Sequence, residues 1–139
     1  MTPKVIDAIL SARLFHILAR ILLTLGLWLP GILQVTQFQT AIGDFTHFHV
    51  TPPVPYIFAS IITLLVGSAI VIIGGKWTWL GAGALGIYTG LTIFIAHNFW
   101  AMQGADATNE MRTAIEHVSM IGGLMVVAYA EHQRVKLAD

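Results

Sequence analysis

Four side chains able to exchange protons or hold a ligand fall within one short run. His97 and Asn98 close an apolar segment, and Glu116 and His117 lie near the start of the next, in IAHNFWAMQGADATNEMRTAIEHVSMIGG across residues 95–123. The polar turn between them is too short to let the segment ends separate, so these groups are expected together at one end of two adjacent helices. Imidazole and carboxylate there offer general acid–base work or ligation. Two more imidazoles, His47 and His49, belong to a connection expected on the same side. His47, His49, His97 and His117 form a candidate ligand set for copper or zinc, and a facing His97–His117 pair is a candidate for haem ligation. The competing reading is a set of interfacial histidines bonded to neighbours or water. His16 and His132 fall on the other side and read as structural or solvated.

Other chemistries are closed to the chain. It has no cysteine, so thiolate catalysis, disulfide exchange and thiolate-bound clusters are excluded, and no catalytic triad is present. No residue is assigned a catalytic role. The formal charge is zero, with seven basic and seven acidic residues, which gives no footprint for nucleic acid.

The elements that must position these groups are membrane helices. Of 139 residues, 56% are hydrophobic and 10% charged, against about a quarter charged in soluble domains. A hydrocarbon core of about 30 Å takes about 20 apolar residues per helix, which leaves room for four spans. These are expected near residues 9–29, 56–73, 77–99 and 111–130, in a single membrane domain over residues 1–139, with a retained N-terminus. Pro30-Gly31 is expected to stop or kink the first span. Residues 32–55 are too polar to span and read as a partly ordered connection at the membrane edge, with prolines at 52, 53 and 55 setting up the second span. Trp77, Trp79 and Trp100 suit interfacial anchoring at the ends of the third. The class is all-α: an integral membrane four-helix up-down bundle.

Lys4, Arg13, Lys76, Arg134 and Lys136 all fall on one side of such a bundle, whereas the opposite connections hold only Arg112 against Asp44, Asp106 and Glu110. The positive-inside rule then puts both termini in the cytoplasm.

Arg13, His16 and Arg20 share one face of the first span, so that stripe looks inward. Arg20 is expected close to the midplane, where an arginine costs about 2.5 to 3.5 kcal/mol on insertion scales and needs a partner. Glu116 is the nearest acid in depth, and Tyr88, at a depth like that of Arg20, can offer a hydroxyl. Gly81-Ala82-Gly83-Ala84-Leu85-Gly86 satisfies a dinucleotide-binding pattern, but no soluble strand precedes it. Ala82, Gly86 and Gly90 repeat at four, a small face on which another helix can pack, and Gly122-Gly123 can act likewise.

The motif HNFWA from His97, followed by EMRTAIEHVSMIGGLM from Glu110 to Met125, resembles the last two helices of DoxX-like membrane proteins. Arg20, Gly31 and the proline-rich approach to the second span resemble that family's first half. The departures fall on charged positions: Glu116-His117 stands where the family carries Lys-Asn, Gln34 where it carries Lys, and Thr63-Leu64 where it carries an acid. The resemblance carries over onto Arg20, His97, Phe99 and Trp100.

It implies a small subunit of the prokaryotic inner (cytoplasmic) membrane, one of a family of four-helix bundles linked to quinone-reducing thiosulfate oxidation, oxidant defence and maturation of periplasmic redox enzymes. Such subunits often carry no cofactor of their own; here the expected ligand is a quinone, and the expected partners are the bilayer and other membrane or periplasmic redox subunits. In the quinone version Arg20 or His97 donates to a carbonyl, Glu116 or His117 handles protons, Tyr88 offers a hydroxyl, and Phe99 and Trp100 stack or line the mouth. The alternatives are a non-catalytic structural or assembly subunit and a histidine-ligated metal or haem protein.

Overall fold

The structure, a computed structural model, describes residues 3–138. Among the described residues it is all-helical: α1 (Lys4–Ser11), α2 (Arg13–Thr36), α3 (Phe38–His47), α4 (Pro53–Ile73), α5 (Thr78–Ile95), a 3-10 turn at Phe99–Ala101, and α6 (Gly104–Lys136). Four helices are long and apolar enough to cross a membrane, namely α2, α4, α6 and the stretch Thr78–Ala101 formed by α5 and the turn after it. The chain is therefore a multi-pass membrane protein. Its outward-facing leucines, among them Leu14, Leu18, Leu22, Leu25 and Leu29, are left exposed for lipid.

The helices differ from the expected spans in ways that matter. The first does not begin at residue 9: the backbone turns extended at Ala12, so α1 is a separate eight-residue helix. Nor does it stop at Pro30, which lies inside α2. Proline removes a single backbone hydrogen bond, and a helix packed among others tolerates that loss. Gly31 supplies the packing, because a Cβ there would sit 2.9 Å from Leu65 Cδ2 and 3.1 Å from Leu64 Cβ. Residues 32–55 are mostly helical rather than loosely ordered. At ten residues α3 is about 15 Å long, too short to cross. The fourth span is far longer than expected. The polar turn before it and the polar segment after it coil into one 33-residue helix, about 50 Å long, so its ends must project beyond a core of about 30 Å.

α2 packs on α4, α4 on α5, α5 on α6, and α6 returns to α2. Leu27, Leu64, Val71, Ala82, Leu85 and Leu124 form the buried centre. In lipid these apolar contacts gain little from leaving their solvent, so close packing has to hold the helices. Gly67 and Gly81 provide it: a Cβ on Gly81 would fall 2.8 Å from the Gly67 carbonyl oxygen, and one on Gly67 would fall 3.0 Å from Leu85 Cγ. The expected small face at 82, 86 and 90 is corrected accordingly. Only Ala82 of that trio is buried, while Gly86 and Gly90 face open space. On α6 it is Gly123 that meets α2, with a Cβ there 2.7 Å from Leu23 Cδ1, whereas Gly122 is open.

Candidate functional site

The polar groups separate into two sites at opposite ends of the long helices. At one end, Arg20 on α2 forms a buried ion pair with Glu131 on α6. The second carboxylate oxygen, Oε1, accepts from the Gly75 backbone N–H at 2.6 Å and from Arg134 Nη2 at 2.8 Å. Three elements are thereby tied at one carboxylate: α2, the α4–α5 turn and α6. The turn can close over the pair because Gly74, at φ +81°, adopts a conformation disfavoured for L side chains and leaves room where a Cβ would run into the Arg20 guanidinium. Thr24, one turn along α2, donates its hydroxyl back to the Arg20 carbonyl at 2.7 Å.

This corrects the expected partner and depth of Arg20. Its acid is Glu131, not Glu116, which is exposed. Because α2 runs from Arg13 to Thr36, Arg20 lies in the first half of the helix, and through Glu131 it is level with the α4–α5 turn. Glu131 escaped the sequence reading because the last span was expected to end one residue before it, at residue 130. A signal was present: Met120, Leu124, Val127 and Glu131 recur at three and four, so the acid continues the buried stripe of α6.

At the other end a cavity of about 740 Å³ opens between α2, α4 and α5, with α3 contributing Asp44 and Phe45 to its wall. Down the α2–α6 seam, Arg20 meets Glu131, Leu23 meets Gly123, and Gly26 approaches Met120; beyond that level, Pro30 and His117 line the cavity. The rest of the wall is mainly apolar, interrupted by Ser60, Thr63, Tyr88, Thr89, Thr92 and Gln34. The Ser60 and Tyr88 hydroxyls share a hydrogen bond of 2.8 Å. Tyr88 is therefore a cavity residue, not a neighbour of Arg20.

His97 and His117 come together as the short connection required, with ring centroids 4.8 Å apart, and both line the cavity. His97 Nδ1 lies 2.6 Å from Glu110 Oε2, and His117 Nδ1 lies 2.8 Å from the Thr113 carbonyl oxygen. Glu110, counted in the sequence only as a loop charge, is the acid that engages an imidazole; Glu116 is exposed.

The remaining expected residues stand outside the cavity wall. Trp100 is exposed, with Phe99 and Phe94 packed at 5.2 and 5.8 Å. His47 and His49 are exposed on and just after α3. Among the described residues no three of His, Asp and Glu are grouped so as to hold a metal ion, so the set His47, His49, His97 and His117 does not assemble. The haem pairing fails on geometry as well, because rings already in contact leave no room for a porphyrin plane between them.

A hydroxyl or carbonyl ligand fits the cavity better. Its volume lies in the range of small-molecule pockets, and its wall has the usual plan of apolar side chains with a few convergent polar groups. No curated protein and no solved structure compared with the chain matches it. Residues 15–98 match the DoxX family model, more than half of the chain's 139; they carry Arg20, the α4–α5 turn and His97, while α6 with Glu110, His117 and Glu131 lies beyond the match. On that match, and with four helices of membrane-spanning length and apolarity, the chain belongs to the DoxX family.

Proposed function

We propose that this protein is a small subunit of a quinone-linked redox complex in the inner membrane of a prokaryote, and that the cavity beside His97 and His117 receives the quinone head group. In this reading the four long helices form an up-down bundle across the membrane. Both termini and the Arg20–Glu131 cluster face the cytoplasm, where Lys76, Arg134 and Lys136 gather; the cavity faces the opposite surface. The single observation that carries the reading is the cavity itself: an apolar chamber of about 740 Å³ with two imidazoles and a tyrosine–serine pair converging on it. The apolar wall suits a ring and the start of its tail. Tyr88, His97 and His117 supply hydrogen-bonding contacts to its oxygens, and the quinone supplies the two-electron chemistry when bound. Arg20 has no part in it, since its guanidinium is engaged by Glu131.

The test is quinone reduction by the intact complex in native membranes. His97→Leu and Tyr88→Phe are expected to lower it at least tenfold while the complex still assembles; unchanged turnover in both would remove the reading. The Arg20–Glu131–Gly75 junction supports a second reading, that of a non-catalytic assembly subunit, in which both cavity variants keep full activity and only disruption of the junction releases the partners.

A further inference from the structure

The cavity's polar atoms are unequally divided between donors and acceptors, and the inequality bears on which redox form it holds. Thr89 and Thr92 both line it, yet each hydroxyl hydrogen is already given to backbone: Thr89 Oγ1 donates to the Leu85 carbonyl at 2.8 Å and Thr92 Oγ1 to the Thr89 carbonyl at 2.8 Å. What these side chains have left is lone pairs. His117 is constrained in the same sense. Thr113 O can only accept, so His117 Nδ1 carries the hydrogen, and the neutral ring keeps an acceptor at Nε2. His97 directs Nδ1 to the Glu110 carboxylate, so its Nε2 accepts in the neutral ring and donates in the imidazolium, and the balance does not rest on it. Gln34 Oε1 is buried without a hydrogen-bond partner among the described residues. Against these acceptors, the bonded Ser60–Tyr88 pair has one hydroxyl hydrogen to spare, and the Thr63 hydroxyl and the Gln34 amide nitrogen add a few donors.

From this we infer that the cavity selects the reduced, dihydroxy form of an aromatic ligand, a quinol, over the corresponding quinone. The inference rests on the quinone-linked reading above and sharpens it. A quinone brings two carbonyl oxygens, which can only accept; set against Thr92 Oγ1 and His117 Nε2 they face lone pairs. A quinol brings two O–H groups, and each can donate to one of those atoms. Leaving a buried acceptor unmatched disfavours the wrong form, and one hydrogen bond gained or lost changes affinity by about tenfold.

The experiment compares three probes on the purified full chain in detergent: a decyl-tailed 1,4-benzoquinone, its dihydroxy form, and the dimethyl ether of that form, titrated calorimetrically without oxygen. The quinol is expected to bind about tenfold tighter than the quinone or the ether. Thr92→Val, nearly isosteric, and His117→Leu are each expected to shrink that gap to about twofold or less. Equal or tighter binding of the quinone overturns the inference while leaving the quinone-linked reading intact, as does a gap that survives both substitutions. If none of the three probes binds, the quinone-linked reading itself falls, and this inference with it.

Discussion

Arg20 and Glu131 are 111 positions apart in sequence and form a buried ion pair, with the Glu131 side chain 2% exposed. Each charge depends on the other. Glu131→Gln leaves a guanidinium buried without its counter-charge, and loss of one member of such a pair costs about 3–5 kcal/mol. A large drop in the midpoint of thermal unfolding in mild detergent is expected. The double variant Arg20→Met with Glu131→Leu should recover much of that loss, because two apolar side chains carry no unpaired charge.

Glu116 serves as the contrast. It is exposed on α6, so Glu116→Ala should shift stability by less than about 0.5 kcal/mol. A loss comparable to that of Glu131→Gln, measured in the same detergent, would mean that Glu116 rather than Glu131 balances Arg20.

Glycine substitutions should divide by place. Gly74→Ala forces a side chain onto a backbone at φ +81° and into the Arg20 guanidinium; such backbone strain alone costs about 1–3 kcal/mol. Gly81→Ala meets the Gly67 carbonyl at 2.8 Å and should push α4 and α5 apart. Gly83→Ala meets nothing within 4 Å, and in a helix interior it should be neutral or stabilise by about 0.5–1 kcal/mol. Unfolding midpoints of the three variants check the order.

The proposed orientation is open to a direct test, because a chain without cysteine accepts single-cysteine labelling. Thr46→Cys on α3 should react with a membrane-impermeant maleimide in intact cells. Lys76→Cys and His132→Cys should react only after the membrane is opened. The reverse pattern would invert the bundle.

Histidine tautomers offer the last check. His117 gives its Nδ1 hydrogen to Thr113 O, so nitrogen NMR of histidine-labelled protein should show a ring protonated at Nδ1 whose signal vanishes in His117→Asn. A His117 ring protonated only at Nε2 would leave Nδ1 with no hydrogen to give Thr113 O and would remove the hydrogen bond assigned to that ring.

Much of this protein is legible one residue at a time. Four apolar runs, tryptophans at their ends and the bias of Lys and Arg to one side need no coordinates, since length and transfer energy alone demand helices that cross lipid. The meeting of His97 with His117 was equally legible, because a short connection keeps two helix ends together. What the sequence could not determine is which distant groups share a level. Arg20 found Glu131 only because α2 begins late, at Arg13, and α6 runs on through a segment polar enough to read as a tail. Depth is counted from helix ends, and a shift of a turn at each end moves a partner by more than 10 Å. The cavity belongs to the tertiary structure for the same reason. Its wall is assembled from residues of five helices, and whether a threonine there offers a hydrogen or a lone pair depends on the carbonyl its own helix places beside it.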